Sequence, residues 1–110
     1  MIAVDIVKFK KQHRPNSWDL LFQNTGSKPI YGASVDAKVL FMDGTTSSEM
    51  IAVDDIDPGE KTHSSLTLLR RVASIKLYRL TMVAHDYSDM KEVPLDLTYR
   101  KKMLGWEKIG

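Results

Sequence analysis

The residues of this 110-residue chain that could carry proton transfer or bind a metal are three histidines, His13, His63 and His85, and fourteen carboxylates. No His-x-His or His-Glu-x-x-His spacing occurs, and there is no cysteine. Thiolate metal sites, disulfides and cysteine nucleophiles are therefore excluded. His63 stands beside Ser64 and Ser65. A Ser-His-acid triad also needs a nucleophile presented on a sharp turn and an oxyanion loop. The chain has neither a Gly-x-Ser-x-Gly run nor a glycine-rich loop, so the expectation is a protein that is not an enzyme. Asp54, Asp55, Asp57 and Glu60 form the densest acidic group. Calcium takes six to eight oxygen ligands, but the spacing matches no EF-hand loop, and Pro58-Gly59 explains the segment as a turn. His85, Asp86 and Asp89 form a second, smaller group that reads as a solvated hairpin tip. No metal or cofactor is expected.

Nine of the sixteen lysines and arginines cluster in three groups: Lys8, Lys10, Lys11 and Arg14; Arg70 and Arg71; Arg100, Lys101 and Lys102. If the ends of the first and last strands lie together, the first and third groups form one patch suited to phosphate or an anionic surface. Against a dedicated nucleic-acid binder stand the net charge of only +2 and the lack of interleaved aromatics on which bases could stack. Solubility alone would also account for charged loops.

The elements that must position these groups read as strands. Period-two alternation runs through the chain, and helical periodicity is nearly absent. Strands are expected at Ile2 to Phe9, Trp18 to Asn24, Ile30 to Met42, Glu49 to Val53, Lys61 to Leu69, Ile75 to Ala84 and Lys91 to Arg100. The second buries Trp18, Leu20 and Phe22; the third buries Val35, Ala37, Val39 and Phe41; the last turns Val93, Leu95, Leu97 and Tyr99 inward. In the sixth, Tyr78, Leu80, Met82 and Ala84 are expected on one face, with Ile75, Leu77, Thr81 and Val83 on the other. Pro94 cannot donate to a ladder and should face an open edge or a bulge. Turns are signalled by Gly26 to Pro29, Asp43-Gly44 and Asp57-Pro58-Gly59.

Seven short strands without crossover helices predict an all-β fold, an immunoglobulin-like antiparallel β-sandwich of about seven strands; a small closed barrel is the alternative. Residues 1–100 would form the sandwich, and 101–110 a basic C-terminal tail or linker. Met103, Leu104, Trp106 and Ile109 in that tail fit two roles equally: cover for a sheet edge, or a docking peptide for a partner. A composition of 43% hydrophobic and 27% charged residues is that of a folded domain. No apolar run approaches the length of a membrane span. The N-terminal apolar residues lack a basic leader and are interrupted by Asp5, unlike a signal peptide.

The order Asn24-Thr25-Gly26-x-x-Pro29-Ile30, an alternating strand, Asp43-Gly44, then Ile56-Asp57-Pro58-Gly59-Glu60-Lys61 and Tyr78-x-Leu80 resembles the FxLYD and CARDB-like domains. Those are immunoglobulin-like sandwiches of bacterial and archaeal envelope and surface proteins. Where the first family carries Leu-Tyr-Asp, this chain has Phe41-Met42-Asp43. The resemblance implies a spacer, adhesion or assembly module, and brings no catalytic residues. The expected function is thus a non-enzymatic binding or structural module for protein–protein assembly at a cell envelope or surface, with nucleic-acid or anionic-surface binding as the alternative. Its contacts are expected at Tyr31, Arg70, Arg71 and Trp106, with self-association through a strand edge as a further option. The expected place is extracytoplasmic or at the cell surface, as a domain of a larger protein, and the cytoplasm if Met1 is the native start.

Overall fold

Alternation along the chain becomes alternation of faces in space. The computed structural model describes residues 2–12, 16–83, 90–102 and 105–110. Among them run eight strands and no helix: β1 (Val4–Lys11), β2 (Ser17–Asn24), β3 (Ala33–Phe41), β4 (Thr46–Val53), β5 (Lys61–Thr67), β6 (Val72–Val83), β7 (Met90–Lys101) and β8 (Trp106–Lys108). They pair antiparallel in two sheets, β1-β2-β5 and β4-β3-β6-β7-β8. The inner faces of the two sheets enclose one core. Leu20 and Phe22 from the first sheet meet Val35, Val39, Ile75, Leu77 and Leu80 from the second, all wholly removed from solvent. Each such side chain contributes about 1.5–3 kcal/mol through burial.

β6 departs from the expected alternation. Ile75, Leu77, Leu80 and Met82 all face the core, while Tyr78 and Arg79 face out. The cause is a bulge. Ala37 pairs with Leu77 but Asp36 with Arg79, so Tyr78 is an extra residue opposite β3. The side-chain parity therefore flips at this point, and Tyr78 is not the inward partner of Leu80. β7 answers with its own extra residue, since Leu77 pairs with Leu97 and Arg79 with Pro94. Pro94 thus sits at an irregularity in the ladder, the expected place for a residue without an N–H. Outside the bulge, Arg79 Nε donates to Asp36 at 2.7 Å.

The expected third strand is shorter than its pattern. Ile30 makes an isolated bridge with Ile56, and the regular ladder begins only at Ala33. Between them Gly32 has a φ of 53°. Asn24 holds this end of the molecule. Its buried side chain donates to the Lys28 and Ile56 carbonyls at 2.8 and 3.0 Å and accepts from Gly26 N at 3.0 Å. At the other end Gly44 closes the β3–β4 hairpin with a φ of 86°, a conformation L residues adopt at a cost.

Residues 106–108 make the eighth strand, three more pairs on β7. Thr98 N and O extend this ladder to Gly110 O and Ile109 N at 3.2 and 2.8 Å. Trp106 packs edge-on to Phe9 and Trp18, ring centres 4.5 and 6.0 Å apart, while Phe9 and Trp18 stack at 4.7 Å. Met103 and Leu104 lie outside the described residues.

Two of the edge strands, β1 and β4, are defended. β1 carries a register shift between Ile6 and Lys8, with exposed Lys8, Lys10 and Lys11. β4 turns a carboxylate, Glu49, toward the inner face. Bulges, lysines and inward charges all discourage edge-to-edge pairing.

Candidate functional site

Antiparallel pairing fixes which loops meet. β1 ends, β2 begins, β5 ends, β6 begins and β7 ends at one end of the sandwich. The β5–β6 connection, Leu68 to Arg71, crosses there from one sheet to the other. It is tied to both sides. Leu68 N donates to Asn16 O, and Arg71 O accepts from Met42 N, each at 2.8 Å. Leu68 is buried beneath the connection, whereas Leu69 is 78% exposed.

This crossing walls a cleft of about 390 Å³ lined by Lys11, Asn16, Trp18, Leu68 to Val72 and Lys101. Four cations, Lys11, Arg70, Arg71 and Lys101, line it, and no carboxylate does. Among the described residues no acid lies within ion-pair reach of Lys11, Arg71 or Lys101. Arg70 is held in place. It donates to Thr45 Oγ1 at 3.0 Å, stands 3.7 Å from the Asp43 carboxylate, and lies over the Phe41 ring at 5.9 Å. Hydrogen bonds from the Thr45 hydroxyl and amide, reinforced by Arg70, hold the Asp43 carboxyl below its ordinary value.

A second hollow, about 360 Å³, adjoins the first and shares Leu68, Leu69 and Arg70 with it. Its other walls are Phe41, Ser47, Glu49 and Thr67, so it opens between β4 and β5, where the two sheets part. Its only carboxylate is Glu49, which accepts from Ser47 Oγ at 3.2 Å.

The expected contact residues separate into two ends. Arg70 and Arg71 line the cationic cleft, and Trp106 backs Trp18 in its wall. Tyr31 lies at the far end, half-buried, its carbonyl accepting from Val83 N at 3.2 Å. Lys11 from the first basic group and Lys101 from the third do meet, and the Arg70-Arg71 pair joins them. Arg14 lies outside the described residues. Leu69 was not singled out by sequence reasoning. The signal was present: two consecutive leucines at the end of an alternating strand cannot both face inward.

Of the catalytic and metal candidates, the described ones make the following contacts. His63 Nδ1 lies 2.8 Å from the Asp19 carboxylate on the outer face of β5, and no hydrogen bond joins it to a serine. Ser64 points the other way and donates to Ala52 O at 2.7 Å. Asp55 accepts from Gly32 N at 2.9 Å and Glu60 from Asp57 N at 2.9 Å. These carboxylates cap backbone groups in a turn at the end opposite the cleft. No group of three or more His, Asp or Glu is placed to hold a metal among the described residues. His13 and the His85, Asp86, Asp89 group lie outside the described residues. No described helix is long and apolar enough to cross a membrane.

Fold and site together define an all-β, two-sheet antiparallel sandwich with a cationic cleft at one end. No model of a known protein family matches this sequence, and no curated protein matches it.

Proposed function

We propose that this chain is a non-enzymatic, immunoglobulin-like binding module that docks an acidic protein partner at the cationic end of its sandwich. The observation that carries this reading is the convergence of Lys11, Arg70, Arg71 and Lys101 on one cleft, of which only Arg70 has an ion-pair partner, Asp43, among the described residues. Crowded like charges destabilise a fold, so such a cleft is best explained by an anionic occupant. The site also has protein-like features. Leu69 and Met42 are 78% and 61% exposed beside it, and arginines flanked by exposed apolar groups are common interface anchors. The immunoglobulin-like assignment draws support from the strand order. Consecutive strands change sheets after β2, β4 and β5, and β3, β6 and β7 lie adjacent in one sheet. Residence at an envelope or surface rests on the likeness of the turn motifs to the FxLYD and CARDB-like domains.

Nucleic-acid binding is the second reading, favoured by the same cations. It is weakened by the state of the aromatic rings. Trp18, the aromatic residue in the lining of the cleft, is buried and stacked on Phe9, so its face is not offered to a base.

The two readings separate in a titration followed by intrinsic tryptophan fluorescence. Poly-L-glutamate and duplex DNA are compared at low salt and at about 0.3 M salt, where exposed charges are screened beyond ~6 Å. Preference for the polypeptide, abolished by combining Arg70→Glu with Arg71→Glu, supports the protein reading. Preference for DNA with a steep salt slope overturns it.

A further inference from the structure

The geometry points to a composite peptide site at this end: the cationic cleft takes a carboxylate-bearing stretch, and the adjoining hollow takes a large apolar side chain a few residues away. This inference rests on reading the cationic end as a docking surface, and it names the chemistry of the partner.

Two hollows side by side do not by themselves make one site. Here a single ridge, Leu69-Arg70, belongs to both walls. A chain lying across that ridge places residues on either side within two to four positions, since an extended segment advances about 3.3 Å per residue. The two sides differ in chemistry. Toward β1 and β7 the walls are Lys11, Arg71 and Lys101. Toward β3 and β4 they are Phe41, Ser47 and Thr67, with the Glu49 carboxylate, while Leu68 lies beneath both sides.

Glu49 gives the site a direction. An acidic residue of the partner is repelled from the hollow that holds Glu49 and attracted into the cleft that holds three unpaired cations. A large apolar side chain gains little among the lysines, but in the hollow it lies against Leu69, which is 78% exposed, whereas Phe41 and Leu68 are already buried. Attraction on one side and repulsion on the other select one orientation of the segment. Arg70 is already oriented by Thr45, Asp43 and Phe41, so little side-chain freedom is lost when it is covered. Leu69, exposed at the crest, is the apolar surface that the partner's large side chain buries.

The test uses four synthetic peptides with the full-length chain: one with three acidic residues followed two positions later by Leu-Phe, one with the acids replaced by Ser, one with Leu-Phe replaced by Ser, and one with the order reversed. Binding is measured by fluorescence anisotropy at low salt. The inference expects the first to bind at least tenfold more tightly than the other three. Arg71→Glu should erase the advantage given by the acids, and Leu69→Ser the advantage given by Leu-Phe. Both residues are exposed, so neither change threatens the fold, and a melting curve confirms that. If the acidic peptide without Leu-Phe binds equally well, the composite site is wrong while the cationic docking surface stands. If no peptide binds and Arg71→Glu leaves poly-L-glutamate binding unchanged, both fail.

Discussion

Tyr99 on β7 donates a hydrogen bond from its phenolic O–H to Asp5 on β1, and so ties the two sheets together at the edge where β8 is added. The same oxygen accepts from Ile6 N at 3.0 Å, and Lys108 Nζ lies 3.1 Å from the other Asp5 oxygen. Burial, helped by the hydrogen bond to Asp5, pushes the Tyr99 hydroxyl well above the usual phenol value.

Tyr99→Phe keeps the ring and removes this tie. The Ile6 amide is then left without its partner, which costs about 1–3 kcal/mol. The expected result is a lower midpoint in urea denaturation with an unchanged slope.

Linkage gives that tie a pH signature. The folded-state value lies above the unfolded one, so the folded protein holds the proton more tightly. The stability this contributes is fully present below about pH 10, the ordinary phenol value, and is lost as pH rises through the folded value. Urea midpoints measured at increasing alkaline pH should fall in the native protein, and Tyr99→Phe should flatten that part of the decline. An unchanged decline in the variant would assign it to other groups.

Asn24 makes three side-chain hydrogen bonds in a site only 1% exposed. Asn24→Ala strands the Gly26 amide and the Lys28 carbonyl and leaves a void, while Ile56 O keeps its bond from Ile30 N, for a loss of about 2–4 kcal/mol. Thermal unfolding should show it as a drop of about 4–8 °C for each kcal/mol. Thr25 to Gly32 should become the first segment to exchange amide hydrogens, because it loses the carbonyl of Lys28 as an anchor point.

Removal of residues 102–110 takes away β8 and uncovers Phe9, Trp18 and the end of the β7 edge. The lost aromatic contacts and buried area amount to about 2–4 kcal/mol. A melting temperature equal to that of the full chain would show that the tail adds nothing to the sandwich.

Asp43→Asn keeps an oxygen for the Thr45 amide and hydroxyl while removing the carboxylate beside Arg70. The hairpin should stay intact, and affinity for poly-L-glutamate should rise by about two- to fivefold at low salt. Thermal melting and the anion titration on the same sample separate these two expectations.

The inward faces of β2, β3 and β7 were legible in the sequence, because period-two patterning is a local property of the chain. Trp18, Leu20 and Phe22 are buried, as are Val35, Ala37, Val39 and Phe41. β6 was misread beyond Leu77. A bulge consumes one residue without leaving a mark in hydrophobicity, and every later side chain then changes face. The short eighth strand was hidden as well, since three residues are too few to show a period.

Composition and spacing by themselves determined that this chain would be an all-β sandwich, since strand alternation and turn chemistry are written within a few consecutive residues. Only the tertiary structure decided that Lys11, Arg70, Arg71 and Lys101 share one cleft while Tyr31 stands at the opposite end. Those residues are up to ninety positions apart in the chain. Their proximity follows from which strands pair, and pairing is set by the packing of the whole core rather than by any segment of it.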